Sequence, residues 1–255
     1  YRLYSKPQLT DLSIAIKSNK GQLDDLKIIA ASDLHLGMII QKTRLAEWVE
    51  MINKQEPDIV LLVGDIFDRS LKPYDSQGFI DEFKKLKSKY GVYSVLGNHD
   101  YYAKVDRSVD YLKRSGIKLL RDESFIVDNR LMLIGRDDAT NHKRKPLESL
   151  MSETDLSLPT IFMVHQPTHL HEITKYNIDF QISGHTHDGQ IFPGNLLAKR
   201  IWELSYGYGV INKTQFYVSS GLGLSYIPIR IGTHSEIVRI HFRSENDSIS
   251  GIKNH

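Results

Sequence analysis

Five apolar runs in this chain each close on a small knot of Asp, His or Asn, and that repeated coupling constrains the fold more than any other feature. Residues 26–32 lead into Asp33-Leu34-His35, and residues 58–63 lead into Gly64-Asp65. Residues 92–96 close on Gly97-Asn98-His99-Asp100, residues 160–164 on His165, and residues 180–183 on Gly184-His185-Thr186-His187. Short continuous apolar runs bounded by turn residues read as buried strands. Helical patterns separate the first of them. Residues 44–55 place Leu45, Trp48, Val49 and Ile52 at helical spacing until Pro57 stops the run. Residues 79–89 turn Ile80, Phe83 and Leu86 inward, and residues 105–114 are closed by Gly116. The βαβαβα order predicts a parallel sheet with crossover helices, whose ligand crevice lies beyond the carboxyl ends of the strands.

The second half is richer in strand patterns. Residues 125–128 and 131–135 flank Asn129-Arg130 as a hairpin would, and residues 215–219 and 236–242 alternate like strands of an antiparallel sheet. Near the start, Leu12, Ile14 and Ile16 alternate like an edge strand. The pattern predicts two sheets packed together with helices outside, forming one domain over residues 1–255, with residues 1–25 as an N-terminal edge segment. The chain opens on Tyr1 rather than Met, so a membrane anchor removed from ahead of that segment is a further expectation.

The knots carry metal chemistry. Imidazole and carboxylate together suit Mn, Fe, Zn or similar divalent ions. In Asp33-x-His35 and His185-x-His187, side chains two apart point the same way on an extended chain, so both members can face one crevice. The glycines before Asp65, Asn98 and His185 fit sharp strand-end turns and close backbone approach. Any one of these knots is common by chance; five at successive strand ends are not.

Ser32-Asp33-Leu34-His35-Leu36-Gly37, Gly64-Asp65-Ile66-Phe67-Asp68, Gly97-Asn98-His99-Asp100, His165 and Gly184-His185-Thr186-His187 resemble the calcineurin-like metallophosphoesterases. The stretch from Gly184 to Gln190, with Pro193, Gly221-Leu222-Gly223 and Pro228-Ile229-Arg230, is similar to the bacterial membrane-associated branch, whose members often carry Gly where this chain has Asp188. The resemblance implies an α/β fold, a four-layer sandwich of two mostly mixed β-sheets flanked by helices. It implies that Asp33, His35 and His187 hold one metal, that Asn98, His165 and His185 hold a second, and that Asp65 bridges them. A carboxylate has two oxygens to share, and two cations about 3.5–4 Å apart can clamp a phosphoryl group and activate water. Neutral Asn98 limits the negative charge, leaving positive potential for a phosphate. His99 is expected to approach the leaving-group oxygen as general acid or to stabilise charge there, with Asp68 and Asp100 as candidates that orient an imidazole.

The expected reaction is hydrolysis of a phosphodiester or pyrophosphate bond by metal-activated water, with two divalent ions (Mn, Fe or Zn) as cofactors. UDP-2,3-diacylglucosamine in lipid A synthesis is the sharpest substrate the resemblance implies. The alternatives are a nucleotide phosphodiesterase, a phosphoprotein phosphatase, and a non-catalytic binding module, against which the full ligand set argues. The resemblance also implies attachment at the bacterial inner-membrane surface, with the cytoplasm as the other location, and a monomer is expected.

Composition trims these options. A formal charge of +2 on 255 residues argues against a general electrostatic nucleic-acid binder, and the absence of cysteine excludes disulfides, thiolate metal sites and a Cys nucleophile. His169 and His171 sit at an expected helix start as exposed side chains, and His142, His234 and His255 lack a matching context. The run His142-Lys143-Arg144-Lys145 reads as a solvated loop or an anionic-head-group contact. Asp137 and Asp138 either border the crevice or do not. Phe192, Leu196, Trp202, Tyr206 and Tyr208 fit a substrate groove, a lipid contact or a plain core and hairpin.

Overall fold

The computed structural model describes residues 6–16, 23, 25–68, 78–225 and 227–245. Five strands of the first sheet come early in the chain: β1 (Gln8–Ile16), β2 (Leu26–Ala31), β3 (Ile59–Val63), β4 (Val92–Val95) and β5 (Lys118–Leu119). The second sheet takes β6 (Glu123–Val127), β7 (Leu131–Gly135), β8 (Thr160–Met163), β9 (Phe180–Ser183), β10 (Gly207–Ile211) and β11 (Thr214–Val218). The last strand, β12 (Glu236–Ser244), returns to the first sheet, giving the orders β1-β12-β2-β3-β4-β5 and β10-β11-β9-β8-β7-β6.

Both sheets are mixed. β2, β3, β4 and β5 run parallel, as do β7, β8, β9 and β11, while β12 meets β2, β6 meets β7 and β10 meets β11 antiparallel. The hairpin around Asn129-Arg130 is β6–β7, and the edge strand read from Leu12, Ile14 and Ile16 is β1, which lies parallel to β12. Residues 215–219 and 236–242, read as strands of an antiparallel sheet, lie in different sheets. Each has one parallel and one antiparallel neighbour, because alternation reports which face is buried and not the direction of the next strand.

Burial sets the layers. β3, β7, β8 and β9 are buried at every position, which is why they read as unbroken apolar runs. Ile28, Leu61, Val63 and Val95 from the first sheet meet Leu133, Ile161, Met163, Phe180 and Ile182 from the second in one core between the sheets. Neighbouring positions face outward: Ile29, Val60 and Leu62 pack against Leu45, Trp48, Val49 and Ile52 of the helix Lys42–Asn53. Met132, Ile134 and Phe162 cover the far side of the second sheet with Leu150, Met151, Leu170 and Ile173. The order is therefore helix, sheet, sheet, helix. Each fully buried Leu, Ile or Phe contributes about 1.5–3 kcal/mol.

One helix is shorter than its periodicity predicts. The pattern over residues 79–89 is helical only at Phe79–Phe83. The side-chain amide of Asn53 donates to the Lys85 carbonyl (2.8 Å), and the Lys87 N–H donates to the Asn53 side-chain oxygen (2.7 Å). Those two bonds replace the next helical turn. No helix among the described residues is long and apolar enough to cross a membrane.

Candidate metal centre

The strand-end knots of the two sheets meet over the carboxyl ends of β2, β3, β4, β8 and β9. Backbone bonds tie them together. Asp33 N–H donates to the Gly64 carbonyl (3.0 Å), His35 N–H to the Asp65 carbonyl (3.0 Å), and Gly184 N–H to the His165 carbonyl (2.9 Å). The sheets are cross-linked here too: His185 N–H donates to both oxygens of Asp33 at 3.1 Å, and His165 Nδ1 lies 2.8 Å from the Val63 carbonyl. A carbonyl only accepts, so Nδ1 of His165 carries a proton, and in the neutral ring Nε2 presents its lone pair.

Three groups of ligand atoms gather within 4.8 Å: Asp33 with His35 and His187, His35 with Asp65 and His99, and Asp65 with His165 and His185. Asp65 belongs to two of them. Its Oδ2 lies 3.1 Å from His165 Nε2 and 3.8 Å from His35 Nε2, while Asp33 Oδ1 lies 3.4 Å from His187 Nε2 and 3.9 Å from His165 Nε2. His35 Nε2 and His187 Nε2 face each other at 3.0 Å.

Asn98 is buried beside this cluster. It is flanked by Gly97, whose missing side chain leaves room for Asp65, and by His99, whose N–H donates to Asp65 Oδ1 (2.8 Å). His99 Nδ1 is 3.2 Å from Asp68 Oδ1, so Asp68 orients the His99 ring and leaves Nε2 toward the crevice. Asp100 meets backbone rather than an imidazole: its oxygens accept from the N–H of Phe67 (2.9 Å) and Gly97 (2.8 Å). That correction has a geometric cause, since Asp100 is the third residue of the short helix Asn98–Tyr102 and its side chain turns back to cap the helix start at Gly97.

The reading of Asp33-x-His35 and His185-x-His187 as extended pairs also needs correction. Asp33, His35, Asp65, His185 and His187 all have positive φ, between 46° and 73°. The chain kinks at each of these residues, and the side chains converge through the kinks rather than through a two-residue repeat. Such conformations cost about 1–3 kcal/mol each and collect at functional sites. Asp188 is left-handed as well, with φ 49° and ψ 38°, a geometry that a glycine would take without strain.

The electrostatics fit a cation. Burial raises the Asp33 carboxyl, with Asp65 adding to the rise and His165 opposing it. Burial works the same way on Asp65, yet His165, His35 and His99 overturn it and hold Asp65 well below the usual carboxylate range. Burial lowers His35 to about 4 and His185 to about 4, and pushes His187 down as well. Burial opposes charge on His165 too, but Asp65 and Asp33 outweigh it and draw a proton onto that ring. A proton on His165 thus supplies the positive charge that two buried carboxylates require, and a divalent ion would supply it better. Several buried polar atoms here, including His35 Nδ1 and Asn98 Oδ1, have no hydrogen-bond partner, and His165 Nε2 makes only an unaligned contact with Asp65. Buried polar atoms are rarely left so. The donor set of imidazole, carboxylate and amide oxygen fits first-row divalent metals.

Other named residues fall into place around the centre. Asp138 accepts from Gln166 Nε2 (2.9 Å) and Thr140 N–H (2.8 Å), and its charge reaches His165 and His185. Asp137 instead joins Tyr101, Arg121 and Asn141 in a network behind the crevice. His171 is exposed and pairs with Glu203 at 2.7 Å; His142, His169 and His234 lie outside the three groups, and His255 lies outside the described residues. Lys145 pairs with Glu153, so the basic run is a loop held by its own contacts. Trp202 stands edge-on to His185, ring centres 5.3 Å apart.

The sequence assigned no role to Arg230. Its guanidinium donates to the carbonyls of Ser220 (2.8 Å), Gly221 (3.1 Å) and Gly223 (2.8 Å), and lies 3.2 Å from His187 Nδ1. Its sequence signal was its place in Pro228-Ile229-Arg230, one of the stretches similar to the membrane-associated branch.

Comparison with known proteins agrees with this geometry. The profile of the calcineurin-like phosphoesterases matches residues 26–189, which span every knot described above. The chain belongs to this family. It is therefore a metal-dependent phosphoesterase, a hydrolase of phosphoric ester bonds. An uncharacterized metallophosphoesterase of Helicobacter pylori strain J99 is 33% identical over 97% of this chain and 67% of its own length. A protein of Danio rerio described as a transmembrane protein with metallophosphoesterase domain is 31% identical, over 92% of this chain and 57% of its own. Among solved structures, a protein from Thermus thermophilus matches the fold with a TM-score of 0.50 at 14% identity, over 76% of this chain and 88% of its own.

Proposed function

We propose that this phosphoesterase hydrolyses a phosphodiester or pyrophosphate bond at two divalent cations, Mn, Fe or Zn. Asp33, His35 and His187 would hold one, Asn98, His165 and His185 the other, and Asp65 would bridge them. The observation that carries this reading is the place of Asp65: within 4.8 Å it groups with His165 and His185 on one side and with His35 on the other, and His35 in turn groups with Asp33 and His187. When bound, such a pair of ions polarises the phosphoryl oxygens and makes water nucleophilic near neutral pH.

The protein's own residues do the rest. His99 holds a proton for the leaving oxygen. Burial works against that proton, but the hydrogen bond to Asp68 and the charge of Asp65 outweigh it and raise the His99 pKa. A group that keeps its proton above pH 6.5 is suited to protonate an alkoxide or phosphate as it departs. Asp68 fixes the ring through Nδ1, so the proton is delivered from Nε2. The buried crevice keeps bulk water from competing with the ligands.

A lipid-linked substrate at the bacterial inner-membrane surface, UDP-2,3-diacylglucosamine in lipid A synthesis, is the sharpest specific case. The motif likeness to the membrane-associated branch supports it; the description of the Danio rerio relative as a transmembrane protein supports a membrane setting alone. The test is hydrolysis by Mn-loaded protein of that lipid, of a nucleotide diester and of bis(4-nitrophenyl) phosphate, with Asp65→Ala as the blank. Rapid cleavage of the lipid supports the full reading. Cleavage of the other diesters alone leaves the two-metal reaction standing and removes the lipid. Wild-type cleavage no faster than the blank removes both.

A further inference from the structure

The helix Gly194–Ile201 is attached to the domain in an unusual way. Ala198 is its one buried residue, while Leu196, Leu197 and Ile201 are 57%, 60% and 64% exposed. On a helical wheel these three span about 140°, with Arg200 between Leu196 and Leu197 and Ala198 about 60° beyond Ile201. The large apolar side chains of this helix thus stand on its exposed side with a cation among them, the reverse of an ordinary surface helix. Phe192 extends it: 58% exposed, it lies just before the helix and donates its N–H to the Ile231 carbonyl (2.8 Å), and Ile231 is exposed as well. An apolar face of this kind on a soluble surface marks something that covers it.

The charges say what covers it. From Gly189 to Trp202 the chain has no carboxylate and two cations, Lys199 and Arg200, both exposed in the last turn of the helix. Lys199 is also within electrostatic reach of the half-buried Asp188. Leucine, isoleucine and phenylalanine flanked by lysine and arginine suit the boundary between acyl chains and anionic head groups. A second copy of this chain would bring the same cations against themselves and is the poorer match.

The helix also ends at the metal centre, because Trp202 follows Ile201 and stands edge-on to His185. We propose that Phe192, Leu196, Leu197 and Ile201 dock into the interface of an anionic lipid bilayer, with Lys199 and Arg200 at the head groups, so that the mouth of the metal centre opens at the bilayer surface. This goes beyond the membrane-surface reading by naming the face that makes contact, and it holds whichever ester is cut.

The experiment is co-sedimentation of the full chain with vesicles of phosphatidylcholine alone and with phosphatidylglycerol added, alongside Trp202 fluorescence. The protein should bind the anionic vesicles and its emission should shift to the blue. A Leu196→Ser/Leu197→Ser/Ile201→Ser variant should bind about tenfold or more weakly, and a Lys199→Glu/Arg200→Glu variant roughly 25-fold or more weakly, at about fivefold per cation. Both should cut bis(4-nitrophenyl) phosphate at the wild-type rate, which separates loss of docking from loss of the active centre. Unaltered vesicle binding by both variants overturns the proposal. So does absence of wild-type binding, and so does a concentration-dependent dimer that the serine variant abolishes while vesicle binding persists.

Discussion

Gly97→Ala offers a sharp test of how the centre is built. Gly97 has φ −111° and ψ 178°, a conformation open to any residue, so backbone strain does not enter. Space does. A β-carbon there would lie 2.2 Å from Asp65 Oδ1, 2.5 Å from the Asp65 backbone nitrogen and 2.7 Å from His165 Cδ2, against ordinary contact beginning at 3.4 Å. The intrusion is roughly 1 Å at the carboxylate, and rotating Asp65 cannot relieve the clash with its own nitrogen. Overpacking of this kind costs about 1–3 kcal/mol, or a Tm lower by about 2–12 °C for a domain of this size. The larger effect falls on function, since misplacing a reacting group by about 1 Å costs on the order of 100-fold. The assays are thermal unfolding, bound manganese per chain, and kcat/KM on bis(4-nitrophenyl) phosphate. A Gly97→Ala protein with unchanged metal content and activity within about threefold of wild type would refute the argument that this glycine exists to admit Asp65.

Asp65→Asn should lower kcat/KM by roughly 100-fold or more and reduce bound metal, read by elemental analysis; two metals retained at wild-type activity would sink the bridging role. Asp68→Asn should move the high-pH fall of kcat to lower pH, because Asp68 raises the His99 pKa above 6.5. The linked stability has a definite sign: His99 binds its proton more tightly when folded, so its contribution is full below pH 6.5 and fades as pH rises through the folded value. The Tm deficit of Asp68→Asn should therefore be greater in acid than in alkali, and a pH-independent deficit contradicts it. Chelation should abolish hydrolysis and lower Tm, since a ligand at 100 times its Kd adds about 2.7 kcal/mol; manganese should restore both, and a Tm that chelation leaves unmoved would count against a resident metal. Leu133→Ala, at the contact between the sheets, should cost about 2–5 kcal/mol in denaturant unfolding; a loss below about 1 kcal/mol would place the core elsewhere.

Much of this was legible in the sequence because it depends on short-range pattern. A strand buried on both faces is a continuous apolar run, and a ligand at its end is the next polar residue, so β2, β3, β4, β8 and β9 and the residues beyond them could be read directly. Asp68 was a candidate to orient an imidazole through the family resemblance, and the structure sets it against His99. What depends on long-range geometry was not legible. Arg230 reaches His187 and the Ser220–Gly223 carbonyls from a loop with no periodic signal. Asp100 looked like an orienting carboxylate, yet burial and the neighbouring Asp65 raise its pKa to about 7 while two backbone amides hold it. The direction of β11 and β12 was hidden because a strand's alternation is the same whichever way its neighbour runs. The kinks at Asp33, His35, Asp65, His185 and His187 were likewise invisible, since a left-handed Asp or His is written with the same letter as an extended one.

The position of β12 bears on how the chain is made. β12 lies between β1 and β2, and it is the strand against which β1 pairs, with Gln8 set opposite Glu236 and Ile16 opposite Ser244. A ribosome therefore delivers β1 first and its partner more than 200 residues later. Until then β1 has no sheet to join, although β2, β3 and β4 can already be parallel neighbours. The residues of the candidate metal centre lie in the segment between, the last of them at His187. During synthesis, that segment can condense while the opening strand waits for the closing one, and late closure of that edge makes it the place where a second nascent chain could insert instead.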